Sequence, residues 1–237
     1  KEYSMSSSNR PKTYLSILLI LSSTHVLNDL MQSLIPASYP LLKAQYSLDF
    51  VQIGLITLTF QIAAALLQPV IGMMTDRHAA PYGPVIGMMF TFSGLVSLAF
   101  AKSYEMILVS VALVGIGSSI FHPEATRMAR YAAGTRQGLA QGIFQVGGQT
   151  GGALGPVFAA MIIVPWGLSS LSWFAALALL AMTLLVWIGS KQHHISAEFS
   201  AMQERRKTDK GIQIHPPLTI AIGLSVLIFL SKASIFI

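Results

Sequence analysis

Six stretches of this chain are each apolar over about the 20 residues a helix needs to cross about 30 Å of hydrocarbon. They run Tyr14–Leu42, Ile53–Met74, Pro84–Ala101, Glu105–Arg127, Gly138–Val164 and Leu168–Ser190, and a seventh begins at Leu218 and runs to Ile237. Backbone in lipid has to satisfy its own hydrogen bonds, which leaves helices or closed barrels. A barrel strand would alternate with period two, and these runs do not. The sequence therefore predicts an all-α integral membrane protein with six full spans and the start of a seventh. Only 10% of its residues are charged, against about 25% in soluble domains.

The placement of positive charge gives an orientation. Lys1, Arg10 and Lys12 precede the first span, and Arg77 follows the second. Arg127, Arg130 and Arg136 follow the fourth, and Lys191, Arg205, Arg206, Lys207 and Lys210 follow the sixth. The opposite connections hold only Lys43 and Lys102. The excess of positive charge marks the cytoplasmic side. The expected organisation is a cytoplasmic tail at 1–13, a six-helix bundle at 14–190, a cytoplasmic connection at 191–217 and a truncated seventh span at 218–237. The net charge of +6 thus belongs to membrane topology, and no nucleic-acid partner is expected. There are no cysteines, which excludes disulfides and thiolate chemistry. The polar start lacks a signal peptide's apolar core, and Met5 is a candidate natural start.

Polar residues inside the spans mark candidate sites, because a charge at the bilayer centre costs at least about 2.5–3.5 kcal/mol. Asp29 lies mid-way along span one, with His25 four residues before it on the same helix face. They read as a proton-titrating pair lining a cavity or as bonding groups between helices. Burial favours the protonated form of an acid, which suits a group that takes up and releases a proton. Span four ends with His122, Glu124, Arg127 and Arg130. Glu124 and Arg127 are three apart and can pair. The group reads as an anion site beside a protonatable acid, with Arg130 an interfacial anchor. Gln141, Gln145 and Gln149 form a stripe along span five, and Gln61 and Gln68 are seven apart in span two. Glycines at four-residue spacing, Gly147, Gly151 and Gly155 among them, suit close helix packing, and Gly155-Pro156 suits a kink.

Spans one and four each carry serines, a histidine and an acid close together, and spans two and five each carry a late proline, Pro69 and Pro156. Inverted three-helix repeats are a common plan of transporters.

Gly72-Met73-Met74-Thr75-Asp76-Arg77 resembles the cytoplasmic loop motif of the major facilitator superfamily, although His78-Ala79-Ala80-Pro81 replaces the glycine and basic pair that usually follow. The resemblance implies a gating role for Gly72, Asp76 and Arg77. Gly151-x-x-x-Gly155-Pro156 is similar to the fifth-helix motif of that superfamily's drug/proton exporters, with Ala159-Ala160 where two glycines are usual. His25-Val26-Leu27-Asn28-Asp29, Leu67-Gln68-Pro69, the Gly115–Glu124 segment and Phe144-Gln145-Val146-Gly147-Gly148 resemble bacterial fosmidomycin-resistance proteins.

That resemblance implies a multi-pass bacterial inner-membrane antiporter that exports a small anionic compound, a phosphonate, against entering protons. It also implies a twelve-span protein, of which this chain is the six-helix N-terminal half, built from two inverted repeats, with the C-terminal half as its missing partner. Asp29, His25 and Glu124 are then the candidates for carrying the proton. His122, Arg127, Gln145, Gln149 and Gln61 are the candidates for touching substrate, and Gly151, Gly155 and Pro156 pack and bend helix five. Expected partners are the lipid bilayer, protons and the substrate, with no cofactor. A divalent-metal transporter built on His25 and Asp29 is an alternative, but a tetrahedral site needs ligands from another helix, and only His122 and Glu124 remain to supply them. A non-functional transporter fragment is another. An enzyme is not expected, since zinc-binding His-Glu-x-x-His and nucleophile-elbow patterns are missing.

Overall fold

The computed structural model describes residues 13–77 and 80–209, apart from the side chains of Asp76, Arg77 and residues 192–209. Most of the expected 1–13 tail, the end of the 191–217 connection and the seventh span lie outside the described residues. The packing below lies within the unit 1–199.

Every regular element described is helical. The first rod is α1 (Leu15–Ala37), followed by the short α2 (Tyr39–Tyr46). The second joins α3 (Phe50–Gln61) to α4 (Leu67–Arg77) through a π-helical turn at Ile62–Leu66. The third and fourth are α5 (Gly83–Ala99) and α6 (Tyr104–Ala132). The fifth is α7 (Gln137–Phe158), a π turn at Ala159–Ile163 and α8 (Val164–Trp166). After one 3-10 turn at Leu168–Ser170 the sixth is α9 (Leu171–Asp209).

Among the described residues four rods are long and apolar enough to cross a membrane by length and composition: Phe50–Thr75, Tyr104–Ala132, Gln137–Trp166 and Leu168–Lys191. The other two expected spans are also helices. However, α5 has only 17 residues, and the apolar run of α1 is interrupted by Ser22–His25, Asn28 and Asp29.

Local chemistry explains the boundaries. Span one was expected to reach Leu42, but it breaks at Ser38. Pro40 has no N–H for the carbonyl four residues back and belongs at a helix start, where α2 places it. Asp49 caps α3 in a reciprocal capping box, accepting from Gln52 N at 2.7 Å while Gln52 Oε1 accepts from Asp49 N at 2.9 Å. Ser103 caps α6. The sixth rod continues past Ser190, because neither glycine nor proline occurs between Lys191 and Asp209.

Each π turn is followed within three residues by a proline, Pro69 or Pro165. A proline ring crowds the carbonyl four residues back, here Ala65 and Met161, and both lie in the widened turns. Widening gives those carbonyls room. The structural counterpart of Pro69 is therefore Pro165. Pro156, which the sequence suggested, sits inside unbroken α7. The π turn also lies between Gln61 and Gln68, so the seven-residue rule that put them on one face does not apply across it.

The rods pack in two tight pairs, α1 on α7 and α5 on α6. Tyr14 N donates to Ala132 O at 2.8 Å and Thr13 Oγ1 to Ala133 O at 3.0 Å, which fixes the start of α1 beside the end of α6. Leu21, Met31, Leu34, Met88, Leu95, Val114 and Phe121 fill the core.

Candidate functional site

Three side chains from two helices meet where α1, α6 and α7 pack together. The i,i+4 spacing on α1 brings His25 Nε2 to 3.3 Å from Asp29 Oδ2. From α6, His122 Nε2 lies 3.2 Å from Asp29 Oδ1. The carboxylate is thus bracketed by two imidazoles. His25 is buried at 3% exposure, while the Asp29 and His122 side chains are 24% and 23% exposed, so the cluster is open on one side.

Backbone carbonyls hold both rings. His25 Nδ1 is 2.8 Å from Phe144 O of α7, and His122 Nδ1 is 2.9 Å from Ser118 O. A carbonyl oxygen only accepts, so each Nδ1 carries a hydrogen and each Nε2 faces the carboxylate. Phe144 stacks on His25 with ring centroids 4.0 Å apart. Asn28 Nδ2 donates to Asp29 Oδ1 at 3.1 Å, and Ser118 Oγ donates to Gln32 Oε1 at 3.1 Å. Asn28 is fully buried, and its Oδ1 has no hydrogen-bond partner.

The approach of α7 depends on glycine. A Cβ on Gly148 would lie 2.6 Å from His25 Nε2 and 2.9 Å from Asp29 Oδ2, whereas one on Gly152 meets nothing within 4 Å. A Cβ on Gly151 would collide with Val26 O, and one on Gly155 with the Ser33 side chain. Gly148→Ala is expected to destabilise the protein by about 1–3 kcal/mol, the range for overpacking a tight core. Gly152→Ala should be neutral or slightly stabilising. Thermal unfolding of the purified full-length variants in detergent checks both, and equal behaviour of the two would refute the close approach.

Glu124 and Arg127 stand apart from this cluster. Arg127 Nη1 pairs with Glu124 Oε1 at 3.1 Å. The same guanidinium donates to Thr75 O and, at 2.8 Å, to Thr75 Oγ1, at the end of α4. Glu124 is fully buried and Arg127 is 4% exposed. This pair fastens α6 to the helix that carries Gly72. The side chains of Asp76 and Arg77, expected to gate, lie outside the described residues. Gln145 and Gln149 are exposed on α7, and Gln61 is half-buried at the end of α3.

The sequence paired His25 with Asp29 and Glu124 with Arg127, each within one helix. It did not foresee that His122 reaches Asp29 or that Thr75 holds Arg127. It weighed His122 for substrate and Asp29 for the proton. The available signal for their union was the metal-site alternative, for which His122 and Glu124 were the remaining ligands beside His25 and Asp29.

The chain matches the Major Facilitator Superfamily over residues 21–237. It is 47% identical to the fosmidomycin resistance protein of Escherichia coli (strain K12), over 97% of this chain and 56% of that protein. It is 44% identical to the uncharacterized MFS-type transporter YfnC of Bacillus subtilis (strain 168), over 74% of this chain and 43% of that protein. The chain therefore spans about half the length of the curated relatives it matches. In structure it is similar to a bacterial homolog of the human lysosomal transporter Spinster, in an inward-facing and occupied conformation. The TM-score is 0.63 at 21% identity, over 75% of this chain and 44% of that one; at that identity the likeness speaks for the fold alone.

Proposed function

Because the chain belongs to the Major Facilitator Superfamily, whose members move small molecules across membranes, we propose that it forms the first half of a proton-coupled exporter. Its cargo is a small anion, a phosphonate of the fosmidomycin kind, and its membrane is the bacterial inner membrane, with the N-terminus and the 191–217 connection in the cytoplasm. A second six-helix half completes the cavity, and alternating access rocks one half against the other.

The observation that carries the reading is the bracketed carboxylate. Both Nδ1 atoms are committed to carbonyls, so an Nε2 facing an ionised carboxylate at 3.2–3.3 Å requires a positive bridge, and a proton is the simplest. Asp29 is then the fixed acceptor, and His25 and His122 carry the moving protons. His122, a quarter exposed, also presents a cation to an anionic cargo when protonated, and Gln145, Gln149 and Gln61 offer hydrogen bonds along the way. Glu124 and Arg127 act as a clamp on α4 rather than as coupling or cargo groups, and Gly72, Asp76 and Arg77 serve the gate.

Proteoliposomes carrying the full-length protein provide the test. An imposed pH gradient is expected to drive phosphonate flux and to leave a neutral analogue behind. Flux indifferent to the gradient would remove the proton from the mechanism, and equal transport of the neutral analogue would remove the anion.

A further inference from the structure

We infer that His25, Asp29 and His122 form a three-ligand site for a divalent transition-metal ion of the Zn2+ class, going beyond the transport reading and independent of it. The candidate ligand atoms, His25 Nε2, a carboxylate oxygen of Asp29 and His122 Nε2, all lie within 4.8 Å of one another. The two nitrogen–oxygen separations are 3.3 and 3.2 Å. A tetrahedral ion bound at ~2.0–2.1 Å sets its ligands about 3.3–3.4 Å apart, so each nitrogen already stands about one such edge from a carboxylate oxygen, His25 from Oδ2 and His122 from Oδ1.

The surroundings are those that metal-binding histidines use. Each Nδ1–H donates to a backbone carbonyl, Phe144 O or Ser118 O. This fixes the tautomer that leaves an Nε2 lone pair for the ion and makes that lone pair a better donor. The Asn28 amide holds the carboxylate in turn. Two of the ligands come from one helix at i,i+4, and the third, His122, crosses from α6, a contact that helical spacing alone does not give. The quarter exposure of Asp29 and His122 leaves a fourth position open to water or an exchanging ligand. Two imidazoles and one carboxylate favour Zn2+, Co2+, Ni2+ or Cu2+ over Mg2+ and Ca2+, which prefer all-oxygen sites.

Co2+ is the probe. Full-length protein is purified in detergent without a polyhistidine tag, with His193 and His194 replaced by alanine to remove the adjacent histidine pair from the background, and stripped with a chelator. One Co2+ per chain is expected to produce the strong visible bands of four-coordinate cobalt. One equivalent of Zn2+ should erase the bands, and excess Mg2+ should not. His25→Gln and His122→Gln should each weaken binding at least about tenfold, since even the groups that support metal ligands contribute 10–100-fold. Should either variant fail to fold, the cobalt bands and their displacement by Zn2+ in the parent decide alone. The weak spectrum of six-coordinate cobalt, or a signal unmoved by either histidine variant, would overturn the site. The assay involves no transport, so it can fail while gradient-driven flux persists, and the converse also holds.

Discussion

Replacing Asp29 by Asn in the full-length protein should reduce pH-gradient-driven flux to the background of protein-free vesicles, while the protein still reaches the membrane. The substitution keeps the size of the side chain but removes the negative charge shared by two imidazoles. Without that acceptor a second positive charge in this position has nothing to offset it, and under the proposed coupling the cluster would lose the step that ties proton uptake to α1 and α6. Substrate exchange at equal pH on both sides, which needs no net proton movement, should survive. Gradient-driven flux that persists in this variant would remove Asp29 from the coupling mechanism. Loss of exchange as well would show that the residue holds the cavity together instead.

Arg127→Ala should cost about 3–5 kcal/mol of stability, the scale for removing one partner of a buried ion pair. Glu124 is fully buried, so the variant leaves its charge without the guanidinium. It also strips Thr75 O and Oγ1 of their donor at the end of α4. Much of the loss should return in a double variant, Arg127→Met with Glu124→Leu, because replacing a buried ion pair by apolar side chains is often neutral. Thermal unfolding in detergent measures both. Phosphonate flux in the single variant should fall only as far as the folded fraction falls. A loss of phosphonate flux at wild-type stability would instead place Arg127 in the cargo path.

Much of this was legible from spacing. The pairs His25–Asp29 and Glu124–Arg127 follow from helical periodicity, which requires only that each segment be a helix. His122 could not be joined to Asp29 in the same way, since their contact depends on how α1 crosses α6. The Thr75 carbonyl could not be found at all, because a backbone acceptor is the same for every residue type. The Gln141, Gln145 and Gln149 stripe keeps its face because it lies in α7, ahead of the widened turn. Gln61 and Gln68 lose theirs because a proline downstream changes the count between them. Periodicity also passed over the break at Ser38, where composition stays apolar and only the position of Pro40 marks the end.

The wide turns at Ile62–Leu66 and Ala159–Ile163 make the tolerance of these two rods to changes in length uneven. Elsewhere in a rod, losing one residue rotates everything beyond it by about 100° and draws it in by about 1.5 Å, which would carry a buried face round towards lipid. Within a wide turn there is one surplus residue to lose. Deleting it, together with Pro69→Ala or Pro165→Ala to relieve the crowded carbonyl, returns the turn to ordinary α geometry with the faces above and below still aligned. Homologous rods that differ in length by one residue are therefore expected to differ there, and to differ at the proline as well.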